Sequence, residues 1–163
     1  MKNILLNFYR VTIYILVGLL LHAGEVFAAD SIQEKIVVLA LGDSLTAGFG
    51  VDEEENFPSR LQVKIDNAGL IYKVVNAGVS GDTTAGGVRR INWLMKHEPQ
   101  IVILALGAND GLRGLSTEEM RSNLDTMIRI SQEHGARVLL AGMKALPNYG
   151  EDYILKFESV YPE

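Results

Sequence analysis

The sequence predicts an α/β fold, a parallel sheet covered by helices on both sides. Two observations point there. Four apolar runs of strand length recur along the chain, and the stretches between them carry apolar residues at helical spacing. The best of these runs are continuous rather than alternating, as expected of strands buried on both faces of a parallel sheet.

The first strand is "KIVVLALG", residues 35–42. Phe57, Leu61, Ile65 and Ala68 then recur at helical spacing, with Pro58 suited to a first turn. "YKVVNAG", residues 72–78, is the second strand. Val88, Ile91, Leu94 and Met95 mark a second helix, closed by Pro99. "IVILALG", residues 101–107, is the third strand. Ser116 and Glu119 read as a capping box opening a helix with Met120, Leu124, Met127 and Ile128 on one face, ended by Gly135. "RVLLAG", residues 137–142, is the fourth strand, and a further helix begins near Glu151.

Residues 1–28 are a separate object. Lys2 and Arg10 precede an uncharged, mostly apolar run from Val11 to Leu21. The run is short for a membrane span, which needs about 20 apolar residues. Val26-Phe27-Ala28 offers a cleavage site, so the segment reads as a secretory signal peptide and residues 29–163 as one domain. A periplasmic or secreted bacterial location follows, with no stable membrane anchor. Absence of cysteine rules out disulfides, a cysteine nucleophile and thiolate metal sites. His22, His97 and His134 show no metal-ligand spacing, so no metal or other cofactor is expected. A net charge of −5 without a basic run argues against nucleic acid as a partner.

In open parallel sheets, ligands bind outside the carboxyl ends of the strands. Three of those ends carry polar devices. The first strand runs into Gly42-Asp43-Ser44, the second into "NAGVSGDTT" and the third into "LGANDG". One edge thus combines a candidate nucleophile, a glycine-rich turn with free backbone amides, and a side-chain amide. Acyl transfer needs such donors, because negative charge develops on the former carbonyl oxygen. Each preorganised donor there contributes about 3–4 kcal/mol. Taken singly, Gly-Asp-Ser also reads as a helix cap, "VSGDTT" as a plain loop and "GAND" as an Asn/Asp turn. Neither Gly-x-Ser-x-Gly nor a nucleotide-binding glycine motif is present.

"LGDSLTAG", "NAGVSGDTTAGG" and "LGANDGLRG", in that order, closely resemble the first three sequence blocks of the SGNH (GDSL) hydrolases. Together with "LPNYG" they are most similar to the branch of exported bacterial arylesterases and thioesterase/lysophospholipases. The resemblance implies a flavodoxin-like three-layer α/β/α fold with a parallel sheet. It implies Ser44 as nucleophile, with the backbone N–H groups of Ser44 and Gly81 and the Asn109 side chain as oxyanion hole. Substrates would be small-molecule carboxylic esters or thioesters, including aryl esters, lysophospholipids and acyl thioesters. Leu112, Leu115, Leu146 and Pro147 are candidates for an apolar acyl groove, or for ordinary loop packing.

The family's fourth block, Asp-x-x-His, supplies the general base and the aspartate that orients it. The sequence contains no Asp-x-x-His. The resemblance therefore implies that the last strand and helix are missing, leaving the fourth strand as an open apolar edge. His97 and His134 each precede a strand, which predicts the amino edge of the sheet, away from Ser44. Asp43 adjoins Ser44 but points elsewhere in an extended segment. These points predict a chain largely inactive by itself. Two alternatives stay open: a non-catalytic module binding acyl or carbohydrate groups, and a fragment of a sugar O-acetyl esterase.

Overall fold

The computed structural model describes residues 35–145 and 147–161. The signal-peptide reading of residues 1–28 therefore lies outside the described residues, as does Leu146.

Four strands form one parallel sheet. They are β1 (Ile36–Gly42), β2 (Tyr72–Gly78), β3 (Ile101–Ala105) and β4 (Arg137–Leu140), in spatial order β2-β1-β3-β4. β1 pairs with β2 from Ile36 opposite Tyr72 to Gly42 opposite Gly78, and with β3 from Val38 opposite Ile101. The chain leaves β1 to one side for β2 and returns to the other side for β3. The topological switch point therefore lies between β1 and β3, where such sheets open a ligand crevice.

The helices are α1 (Ser44–Ala47), α2 (Phe57–Asn67), α3 (Thr84–Leu94), α4 (Ala108–Leu112), α5 (Thr117–Glu133) and α6 (Glu151–Glu158). Alternate residues of a strand point to opposite faces. On one face Leu39, Leu41, Val102 and Leu104 join Ile91 and Leu94 of α3 and Met120, Leu124 and Met127 of α5 in the main core. Phe157 of α6 extends that core, fully buried. On the other face Val38 and Ala40 are buried too, and α2 packs against β2. Leu139 of β4 is 61% exposed, and among the described residues β4 is a terminal strand of the sheet.

Local sequence signals hold in outline and shift at the ends. Asn56 caps α2 by accepting a bond from the Ser59 N–H, with Pro58 in the first turn. α3 gives way at Met95 to a short 3-10 turn through His97, and Glu98 then takes a left-handed conformation, so the helix stops before Pro99 is reached. β3 and β4 are each two residues shorter than their apolar runs. Gly107 already caps α4, and Ala141 N–H, bonded to Leu104 O, is the last ladder contact of β4. Ser116 caps α5 by accepting the Glu119 N–H at 3.2 Å and its hydroxyl donates to Glu118, but the Glu119 carboxylate does not accept the Ser116 backbone N–H in return. Half of the predicted capping box is therefore formed.

Candidate active site

Ser44 is the first residue of α1, immediately beyond the carboxyl end of β1. The turn is tight because both flanking glycines are pressed. A Cβ on Gly42 would meet the Thr46 side chain at 1.9 Å, and one on Gly78 would meet the Ala47 backbone nitrogen at 2.1 Å. The end of β2 thus lies directly against the helix that carries Ser44. Asp43, buried to 1% exposure, caps that helix by accepting the Leu45 N–H at 3.0 Å. The bland reading of Gly-Asp-Ser as a helix cap is correct for Asp43, and it leaves Ser44 partly exposed.

Beyond β2, Val79 N–H donates to Gly42 O at 3.0 Å and Asp82 N–H to Val79 O at 3.0 Å. The turn passes through Gly81 at φ +79°, a left-handed conformation that disfavours side chains. Arg113 donates to Gly81 O at 2.8 Å. Among the described residues, neither the Ser44 nor the Gly81 N–H has a hydrogen-bond acceptor.

Asn109 lies in the first turn of α4, after β3. Its amide donates to Asp82 O at 2.9 Å and to Asp43 Oδ2 at 3.2 Å. Each of these acceptors is a chain neighbour of Gly81 or Ser44. The three residues singled out from sequence, Ser44, Gly81 and Asn109, are therefore gathered at the carboxyl edge, at the switch point. Buried Asp110 fastens the same segment from below, accepting the Thr84 N–H at 2.9 Å and the Thr84 hydroxyl at 2.6 Å.

Three tyrosines tie the far side. Tyr149 donates to Leu112 O, Tyr153 to Leu115 O, and buried Tyr161 to Leu106 O at 2.9 Å. Burial, then the charges of Asp110 and Asp43, hold the Tyr161 hydroxyl well above its ordinary range, so it stays a donor. Leu112 lines a cavity of about 210 Å³ with Gly111, Lys144, Ala145 and Phe157. Leu115, 40% exposed, is not among its walls. Pro147 begins a 3-10 turn through Tyr149.

No base reaches Ser44 among the described residues. His97 closes the 3-10 turn ahead of β3, edge-on to Trp93. His134 caps the end of α5 ahead of β4, its Nδ1 2.8 Å from Ile130 O. Both sit at the amino edge, about a strand length from the serine, whereas a base must come within about 3 Å. Both Asp43 oxygens are engaged elsewhere.

Sequence reasoning missed Arg90, which reaches from α3 to Asp82, Ala77 and Gly42. It also missed the tyrosine ties and the Asp110–Thr84 bonds. Except for the Arg90–Asp82 pair, eight residues apart, these contacts are long-range, and the one available hint was a charged side chain in the helix that follows the glycine-rich turn.

The family model for the GDSL-like lipase/acylhydrolase family matches residues 40–158. Esterase TesA of Pseudomonas aeruginosa is 42% identical over 125 residues, covering 76% of this chain and 62% of that protein. An arylesterase of Vibrio mimicus is 40% identical over 137 residues, covering 83% of this chain and 68% of that protein. Among solved structures, the SGNH-hydrolase family esterase AlinE4 superposes with a TM-score of 0.76 at 43% identity, over 81% of this chain and 71% of that one. The chain thus spans about three fifths of the length of TesA.

Proposed function

Since the chain belongs to the GDSL-like lipase/acylhydrolase family, we propose that its carboxyl edge is the charge-stabilising half of a serine acylhydrolase site. Ser44 Oγ attacks the acyl carbon of a carboxylic ester or thioester. The Ser44 and Gly81 N–H groups and the Asn109 amide receive the oxyanion. Asn109 meets it by giving up the longer of its two bonds, the one to Asp43. The single observation that carries this reading is the Asn109 amide held between Asp43 and Asp82, one residue from Ser44 and from Gly81.

Aryl esters, lysophospholipids and acyl thioesters are the proposed substrates. Support comes from the apolar rim: Leu45, Phe49 and Leu112 are 73%, 81% and 53% exposed, and Leu112 opens the cavity that would take an acyl chain. Export to the periplasm through residues 1–28 is part of the same proposal.

Attack by Ser44 releases a proton, and no described side chain is placed to take it. The chain by itself is therefore proposed to hydrolyse esters slowly. An external base tests this directly. Turnover of a p-nitrophenyl ester is measured with and without imidazole, against Ser44→Ala. The expected result is slow turnover that imidazole accelerates well beyond its effect on Ser44→Ala. Equal rates for the two proteins defeat the nucleophile assignment, and fast Ser44-dependent turnover without imidazole defeats the statement of low activity. A module that binds acyl groups without turnover is the second reading, favoured by the same lack of a base. Saturable ester binding with no imidazole effect selects it.

A further inference from the structure

Arg90 lies in α3, outside all three sequence blocks' polar tips, yet its guanidinium ends among them. Nε donates to Asp82 Oδ2 at 2.9 Å, Nη1 to Ala77 O at 2.6 Å and Nη2 to Gly42 O at 2.9 Å. The Arg90 and Asp82 side chains are only 19% and 11% exposed, so this ion pair is largely withdrawn from solvent.

The three acceptors belong to three pieces of chain. Gly42 ends β1, two residues before Ser44. Ala77 is the penultimate residue of β2. Asp82 follows Gly81, and its carbonyl receives the Asn109 amide. One planar fork thus stands two residues from Ser44, one from Gly81 and one hydrogen bond from Asn109. Space has been cleared for this pairing: a Cβ on Gly86 would meet Asp82 Oδ1 at 1.6 Å, so the first turn of α3 offers the carboxylate a bare backbone. The helix dipole favours a negative charge there.

We infer that Arg90 is the positioning residue of the oxyanion hole, setting the separation of the Ser44 and Gly81 N–H groups and, through Asp82, the place of the Asn109 amide. The inference rests on the acyl-transfer reading above. A lysine cannot replace the arginine, because one ammonium on a flexible stem does not span three acceptors in a fixed plane. Misplacing catalytic groups by about 1 Å costs on the order of 100-fold.

An alkylboronic acid tests it without requiring turnover. The neutral acid adds the Ser44 oxygen to boron, the hydroxyl proton passes to buffer, and the resulting tetrahedral anion puts an oxygen where the oxyanion would sit. The full chain is titrated with the boronic acid, following affinity and the Gly81 amide-proton shift by NMR. Wild type is expected to bind, with a downfield Gly81 shift, and Ser44→Ala is expected not to. Arg90→Ala and Arg90→Lys are expected to weaken binding roughly 10- to 100-fold and to lose most of the Gly81 shift. Leu124→Ala, a core variant destabilised away from the site, controls for stability and is expected to keep both. Should Arg90→Ala fail to fold, Arg90→Lys carries the test. Arg90 variants that bind like wild type, while Ser44→Ala does not bind, overturn the positioning role alone. Wild type that does not bind, or Ser44→Ala that binds equally, overturns the acyl-transfer reading and the inference with it.

Discussion

The Asn109 amide donates to Asp43 Oδ2 across 3.2 Å, joining two residues 66 positions apart. This bond ties the turn after β3 to the turn after β1 at the switch point of the sheet. Asp43 is buried, and its other oxygen caps the helix that carries Ser44. One carboxylate therefore orients the nucleophile's helix and the side-chain donor together.

Asp43→Asn conserves shape and keeps one oxygen for the Leu45 N–H, but then turns an amide N–H₂ toward the amide N–H₂ of Asn109. The buried donor at position 43 then faces the half-buried donor of Asn109 and their hydrogen bond is lost, which costs about 1–3 kcal/mol. Chemical denaturation of wild type and variant measures the difference. A midpoint unchanged from wild type contradicts the role given to Asp43.

Thr46 and Gly78 make an opposed pair. The Thr46 hydroxyl is fully buried without a partner among the described residues. Thr46→Val removes an unsatisfied polar group at nearly constant shape, so stability is expected to hold or rise by about 1 kcal/mol. Gly78→Ala drives a methyl group into the Ala47 backbone, which has no flexible end to move aside. The expected loss is about 3 kcal/mol or more, with displacement of the Ser44 helix. Thermal unfolding of both variants checks the contrast.

Tyr161 predicts a pH dependence. Burial and the nearby carboxylates raise its folded-state pKa above the ordinary tyrosine value. The unfolded state then loses the phenolic proton first, at about pH 10, so it binds fewer protons than the fold and stability falls as pH rises. Tyr161→Phe gives up a buried hydrogen bond, about 1 kcal/mol at neutral pH. Above about pH 10 its stability is expected to decline less steeply than that of wild type. Parallel slopes in denaturation series across this range contradict the assignment.

His97 and His134 lie at the amino edge, engaged with Trp93 and with Ile130 O. The double variant His97→Ala, His134→Ala is expected to retain Ser44-dependent, imidazole-assisted ester turnover within about twofold, since neither ring comes within the roughly 3 Å that proton transfer requires. A fall to the Ser44→Ala rate identifies one of them as a base and revises the placement of the site.

The strands were legible because continuous apolar runs need no partner to be recognised. Val37, Val38 and Leu39 announce a strand buried on both faces before any contact is known. Helix ends were less so: Pro99 marked a stop, but the chain had already turned at Glu98. The capping residue Ser116 was visible, while the choice of Glu118 over Glu119 depended on rotamers that local spacing does not set.

Order along the chain and residue type by themselves determined the α/β class, the family, and the gathering of Ser44, Gly81 and Asn109 on one edge, because a parallel sheet sends every strand end the same way. Tertiary structure alone decided what holds those groups in register. Arg90 finds Gly42 48 residues away, and Tyr161 finds Leu106 55 residues away, through contacts with no period and no local signature. Periodicity reports which face of an element is buried. Which polar atoms meet across the buried layers depends on the packing of whole elements, and that exists once the chain has folded.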